Sequence, residues 1–336
     1  MPEFRLGLYL QDDHPLPDAV KLVQYAEMRG FESVWQSESR LARDAVVPMA
    51  AYAATTYRIR IGAGVMNVWT RNAATIASTF LSLDDLAPDR IVCGLGLWHE
   101  PLASMTGIQR HKPLLALREV TEAVRGLLAM QTVTYRGELV SLNGVSLDVI
   151  RGRREARQVP VYFGATGAYV AALAGEIADG LLMNYLTSPS YNLHVVEELE
   201  RGARKANRPL TAIERPQLIL CSVDRDRNKA LDAARRVVTR YIAQQPTIMR
   251  QCGVRQELID EVTQMLNWAQ SPEQFEDVLK LVPDDVVQLV TASGTPDEAR
   301  AKVSEYLASG ATSAVLYPLG DDVRFMIDAF TDRYAS

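Results

Sequence analysis

Short runs of apolar, β-branched residues alternate along this chain with longer stretches whose apolar positions recur every three or four residues. Residues 5–10, 33–36, 58–66 and 91–97 read as strands, and residues 17–29, 46–56, 73–86 and 113–130 as the helices that follow them. In the first helix Ala19, Val20, Leu22, Val23 and Ala26 form the apolar side; in the fourth Arg118, Glu119, Glu122 and Arg125 face outward. Pro17 and Pro113 suit first helical turns, and Gly30 suits the residue just past a helix end. The alternation pauses at 133–147, which reads as a hairpin with Asn143-Gly144 as its turn signal. A polar, cationic loop follows at 151–157. The rhythm then resumes with a strand at 159–163, a helix at 169–177, a strand at 180–183, a helical zone at 191–206 and a strand at 215–223. Helical patterns fill most of 227–281, with breaks at Gly253 and Ser271-Pro272. A helix over 296–307, a strand over 312–317 and a helix over 323–334 complete the series.

Eight strands, one from each βα step, over 336 residues predict an α/β fold. The expected architecture is a (β/α)8 TIM barrel, one domain over 1–336, with a helical insertion at about 225–290 before the last βα unit. An open doubly wound sheet is the alternative; eight regular units favour closure. In a barrel, chemistry belongs at the C-terminal ends of the strands. Those ends are Ser37-Glu38-Ser39-Arg40, the stretch from Gly62 to Asn67, the stretch from Gly94 to Glu100, and Gly164-Ala165-Thr166-Gly167. Polar, glycine-rich ends on consecutive strands imply a pocket with a backbone floor and a polar rim.

Composition removes several function classes. The net charge of −5 is spread without a basic stripe, so a nucleic-acid partner is not expected. No apolar stretch approaches the length of a membrane span. Cys93, Cys221 and Cys252 form neither a disulfide framework nor a zinc spacing, and His14, His99, His111 and His194 are scattered. The expectation is a cytoplasmic protein without a metal site.

The segment from Pro160 to Gly167 has the pattern strand, glycine-bracketed turn, helix N-terminus. Backbone N–H groups and the helix dipole hold phosphate in that geometry, and the glycines allow close approach and φ angles closed to other residues. It is not GxGxxG and lies far from the first strand, which argues against a Rossmann site. The plain alternative is an ordinary βα turn.

Taken together, the segments Gly62–Asn72, Leu86–Gly96, Arg118-Glu119, Tyr135-Arg136-Gly137-Glu138, Pro160–Gly167 and Gly175–Gly180 resemble the bacterial-luciferase-like superfamily of (β/α)8 oxidoreductases. They are most similar to its coenzyme F420-dependent, methylenetetrahydromethanopterin reductase-type branch. The resemblance covers residues 3–205 and resumes at 294–317; nothing in 225–290 matches. It implies a deazaflavin in the barrel mouth, with a non-prolyl cis peptide at Gly64-Val65 braced against the ring. It places Asn67 and Thr70 at the ring edge or tail, and the tail phosphate on the amides of Gly164, Ala165, Thr166 and Gly167. An Asx turn at Asn67 and a helix N-cap at Thr70 are the local alternatives.

Relatives often carry an acidic residue followed by His after the second strand, where this chain has Glu38-Ser39. Ser39 cannot do imidazole chemistry near neutral pH. Glu100, or neighbouring His99, stands where some relatives place a proton-donating carboxyl group; a buried Glu with a raised pKa suits that role, and a surface carboxylate is the alternative. Trp35, Trp69 and Trp98 line a substrate cavity or pack in the core or at an interface. Arg151, Arg153, Arg154 and Arg157 meet an anionic tail or form a solvated loop. The function implied is hydride transfer between deazaflavin C5 and a small organic substrate bearing C=C, C=N, C=O or an alcohol, in a homodimer. The alternatives are an FMN-dependent luciferase-like monooxygenase and a non-catalytic flavin- or deazaflavin-binding protein.

Overall fold

A computed structural model describes residues 4–268, 271–320 and 322–331. Eight parallel strands form the expected (β/α)8 barrel: β1 (Leu6–Leu10), β2 (Ser33–Gln36), β3 (Arg60–Ala63), β4 (Ile91–Gly96), β5 (Val161–Ala165), β6 (Gly180–Met183), β7 (Pro216–Val223) and β8 (Ser313–Leu319). Their order in the sheet is β7-β8-β1-β2-β3-β4-β5-β6, and Met183 of β6 pairs back to Gln217 of β7. The helices that follow them are α1 (Leu16–Met28), α2 (Val46–Thr55), α3 (Ala73–Leu86), α4 (Pro113–Leu128), α5 (Ala168–Ile177), α6 (Pro189–Lys205), α7 (Pro296–Ala308) and α8 (Val323–Thr331). The part of the last expected helix beyond Thr331 lies outside the described residues.

The chain divides into two compact units. One comprises Gly7–Leu182 and Glu197–Arg215. Its core joins strand residues Leu8, Val34, Ile61, Val92 and Val161 to helix residues Met49, Phe80, Leu117 and Val124, all fully or almost fully buried. Strand register aligns Leu10 with Gln36 and Gln36 with Ala63, so the segments after β1, β2 and β3 leave one edge at one level. The buried Gln36 amide fixes that edge: it accepts from the Tyr52 hydroxyl at 2.9 Å and donates to the carbonyls of Gln11 and Ser37.

The other unit comprises Met183–Val196 and, of the described residues, those up to Leu6 and those from Pro216 to Thr331. Every residue of β7 is buried, as expected of a parallel strand covered on both faces. A short strand, Ala292–Gly294, pairs with its end from Cys221 to Val223. Between β7 and that strand lie the helices Arg227–Gln244, Pro246–Gln251, Gln256–Trp268, Pro272–Leu279 and Asp284–Val290. The breaks at Gly253, with φ +103°, and at Ser271, which forms a capping box with Gln274, fall where expected.

The hairpin differs from its expectation. Its strands are Val133–Arg136 and Ser141–Val145, Arg136 pairs with Ser141, and the reversal occupies 137–140. Asn143-Gly144 lies inside the second strand, where the Gly144 N–H reaches Thr134 Oγ1 across a register shift. The cause is Glu119, which is not outward but 5% exposed. Its carboxylate accepts from the backbone N–H groups of Glu138, Leu139 and Val140, each at 2.8 Å, and gathers the turn around itself. Gly137 is required there, because a Cβ would lie 2.4 Å from Glu119 Oε2.

Burial pushes the Glu119 pKa up, but the three N–H donors outweigh it and leave the carboxyl below its ordinary value. A lowered native pKa contributes stability above the unfolded-state value that is lost as pH falls through the native one. Glu119→Gln is therefore expected to lose about 2 kcal/mol near pH 7. That deficit should shrink on acidification below the ordinary carboxylate range, measured by urea unfolding at both pH values. A deficit that stays constant with pH would contradict the charge-based account.

Candidate active site

The site is assembled at the ends of β2, β3, β4 and β5, all in the first unit. The strand expected over 58–66 is interrupted: β3 stops at Ala63, the Gly64-Val65 peptide is cis, and pairing resumes at Met66-Asn67, opposite Leu95 and Gly96. Periodicity cannot reveal this break, because 61–66 is apolar or glycine throughout. Two contacts fix its start. The buried Tyr9 hydroxyl donates to the Gly64 carbonyl at 2.9 Å, and a Cβ on Gly64 would press on Tyr9, Leu182 and Trp35.

The Val65 isopropyl group is half-buried in a seat made by glycines of the next two strands. A Cβ on Gly96 would stand 2.4 Å from Val65 Cγ2, and one on Gly164 would stand 2.8 and 2.9 Å from its two methyls. One on Gly94 would lie 3.2 Å from Val65 Cγ1 and 1.8 Å from the Ala63 carbonyl oxygen. These glycines thus serve close packing around one side chain. That corrects the expectation for the turn after β5: neither Gly164 nor Gly167 has positive φ.

β5 ends at Ala165; Thr166 is half-buried, and Gly167 sits at the N-cap of α5 with φ −105°. A Cβ at Gly167 would meet nothing within 4 Å, and no cap side chain accepts from the first turn of α5. Gly167 thus leaves open space at the positive end of a helix, the kind of position that favours an anion.

Asn67 is 4% exposed and forms the Asx turn. Its Oδ1 accepts from the N–H groups of Trp69 and Thr70, each at 3.0 Å, and from Thr70 Oγ1 at 3.1 Å. Thr70 is exposed, and it is not the cap of α3. Asn72 has that role, accepting from Thr75 N–H at 2.8 Å. Glu38 takes three donors: Arg71 Nη1 at 2.8 Å, Asn67 Nδ2 at 3.3 Å and Ala45 N–H at 3.2 Å. Ser39 Oγ accepts from Ser37 Oγ at 3.0 Å.

Glu100 does not meet the expectation of a buried acid with a raised pKa. It is exposed; Ser104, through hydroxyl and backbone N–H, and then Arg110 hold its carboxyl below the ordinary value. His99 is also exposed, and burial of part of its ring and the nearby Arg110 push its pKa down. Two residues past the end of β4 stands Trp98, which has φ +57°, a carbonyl held by Arg110 Nη1 at 3.0 Å, and a buried indole N–H without a partner among the described residues. Trp35 is a core residue, packed 5.6 Å from Tyr162 with its N–H on Ser33 Oγ, while the Trp69 indole donates to the Leu97 carbonyl.

The cationic loop has a structural use that the sequence did not reveal. Arg157 is buried and pairs with Asp84 at 3.1 Å and Asp85 at 2.7 Å on α3; Arg153 reaches Asp84 at 3.2 Å. The segments that carried the resemblance likewise hold the scaffold. Asp179 accepts from Val161 N–H at 2.8 Å and Arg125 at 2.6 Å, and Glu176 pairs with Lys205 at 2.8 Å. Among the described residues no group of His, Cys, Asp and Glu is arranged to hold a metal.

Residues 3–313 match the luciferase-like monooxygenase family. The chain is 30% identical over 320 residues to the 5,10-methylenetetrahydromethanopterin reductase of Archaeoglobus fulgidus, covering 95% of each protein. It is 28% identical over 330 residues to the F420-dependent glucose-6-phosphate dehydrogenase of Amycolatopsis mediterranei, covering 94% of this chain and 92% of that one. Among solved structures, the coenzyme F420-dependent tetrahydromethanopterin reductase of Methanopyrus kandleri superposes with a TM-score of 0.88 at 26% identity, over 98% of both chains.

Proposed function

Because the chain belongs to the luciferase-like monooxygenase family, we propose that it is an F420-dependent oxidoreductase that transfers hydride to or from a small organic substrate. Its full-length similarity to F420-dependent enzymes supports this reading, and the observation that carries the site is the pairing of the Val65 seat with the open cradle at Gly167. The residues present fit a long, phosphate-bearing cofactor: an apolar brace on one side, and helix amides with room for an anion on the other.

When bound, F420 supplies or accepts a hydride at C5 of its deazaflavin ring. Val65 would support one face of that ring, and the amides of Gly164, Ala165, Thr166 and Gly167 would hold the tail phosphate. Gly64 sets the position of Val65 through its anchored carbonyl. Asn67 and Thr70, joined in the Asx turn, would border the ring edge. Ser39, half-buried just past β2 with its hydroxyl on Ser37, would stand near the substrate. Glu100 is an exposed, hydrogen-bonded carboxylate and is not assigned the proton.

Titration of the purified protein with F420 and, separately, FMN, followed by fluorescence, tests the assignment. Tight F420 binding with FMN at least about tenfold weaker is expected. FMN preference would replace hydride transfer with oxygen chemistry, and binding of neither would remove the phosphate assignment.

No helix among the described residues is long and apolar enough to cross a membrane. We read the protein as a cytoplasmic homodimer associating through α2 and α3. Tyr57, 86% exposed, and Leu86, 51% exposed, border one groove there, which supports that face. Light scattering on the eluting protein decides the oligomeric state.

A further inference from the structure

We infer that Glu38 and Arg71 are a linked pair of positioning residues, which hold the bulge bearing Val65 in the shape that receives the cofactor. This rests on the F420 reading above and gives Glu38 a role other than proton transfer.

The bulge has two fixed points. Its start is the Gly64 carbonyl, bound by the Tyr9 hydroxyl at 2.9 Å. Its end is Asn67, whose Oδ1 collects three donors from residues 69 and 70, and whose Nδ2 donates to Glu38 Oε1 at 3.3 Å. The same Oε1 accepts from Arg71 Nη1 at 2.8 Å, and Oε2 accepts from the Ala45 N–H at 3.2 Å, just ahead of α2. One carboxylate therefore ties the segment after β2, the start of α2, the first residue of the Asx turn and Arg71 just past it. Val65 lies two residues from Asn67, so its position follows from that of the turn.

Burial makes this arrangement matter. The Glu38 side chain is 10% exposed and that of Arg71 21%, so solvent replaces a lost partner poorly. The second partner of Arg71, Asp44 at 3.3 Å, is 45% exposed and contributes less. Glu38 acts as acceptor in all three of its hydrogen bonds, which occupies both oxygens with structural donors. The sequence could only place an acidic residue after β2; Arg71 lies 33 residues away and carries no local sign of its partner.

The test is F420 titration by fluorescence on the wild type, Glu38→Gln, Arg71→Ala, the double variant, Arg71→Lys and Asp44→Asn, with circular dichroism and thermal unfolding on each. Glu38→Gln and Arg71→Ala should each weaken F420 binding by about tenfold or more, and the double variant by no more than about the worse single one, as for a coupled pair. Arg71→Lys, which keeps the charge and one donor, should recover part of the loss and serves if Arg71→Ala does not fold. Asp44→Asn should stay within about twofold of the wild type. Folded single variants that bind F420 as the wild type does, or losses that multiply in the double variant, would overturn the pairing. Failure of the wild type itself to bind F420 would instead overturn the cofactor reading, before any variant is needed.

Discussion

Gly94→Ala is expected to unfold the protein or to destabilise it by at least about 4 kcal/mol, the range reserved for steric conflict without relief. Gly94 lies in β4, and a Cβ built on it falls 1.8 Å from the carbonyl oxygen of Ala63 and 2.8 Å from its carbonyl carbon. Both are backbone atoms at the end of β3. No rotamer change moves them; only separation of neighbouring strands does, against a spacing of about 4.8 Å set by the ladder. A loss of that size is a large part of the roughly 5–15 kcal/mol that holds a domain together. Gly96→Ala, two residues on, is the internal comparison. Its Cβ is too close only to Val65 Cγ2, a side-chain methyl at 2.4 Å, while Val65 Cβ and the Met66 carbonyl oxygen stand at 3.6 and 3.9 Å. Its cost should stay near the 1–3 kcal/mol of ordinary overpacking. Urea unfolding of the two variants beside the wild type measures the difference. A Gly94→Ala protein with an unchanged midpoint would show that the β3–β4 approach is looser than its geometry.

The alternation of strands and helices was legible because each signal is local. A buried parallel strand is a short apolar run, and an amphipathic helix repeats every three to four positions. What escaped depends on residues distant in sequence. Glu119 has the helical position of an outward residue, and only the hairpin's N–H groups, about twenty residues on, make its burial affordable. Arg157 looks like part of a solvated basic run until it meets Asp84, 73 residues earlier. The site follows the same division. Glycines at 64, 94, 96 and 164 marked the correct strand ends, but that three of them surround one valine is a fact of packing. The role of Glu100 failed for a physical reason. A carboxyl group acquires a raised pKa from burial, and exposure beside Ser104 and Arg110 supplies the opposite environment.

Gly167→Ala and Gly164→Ala separate the two halves of the proposed cofactor site. At Gly167 the backbone has φ −105° and ψ 154°, which alanine adopts freely, and a Cβ would touch no atom of the protein. The substitution should therefore change stability by less than about 0.5 kcal/mol, as for a surface position. The same methyl group would project into the space assigned to the phosphate. F420 affinity is expected to fall by about tenfold or more, equivalent to roughly 1.4 kcal/mol, in a protein whose unfolding is unchanged. At Gly164 the methyl group would stand 2.8 Å from Val65 Cγ2 and displace the valine from its seat. Stability should drop by about 1–3 kcal/mol and binding should weaken with it, because the methyl group shifts Val65 out of its seat. Fluorescence titration and urea unfolding on both variants distinguish the outcomes. Full F420 affinity in Gly167→Ala would place the phosphate elsewhere. Full affinity in a destabilised Gly164→Ala would mean that Val65 packs the barrel without supporting the cofactor.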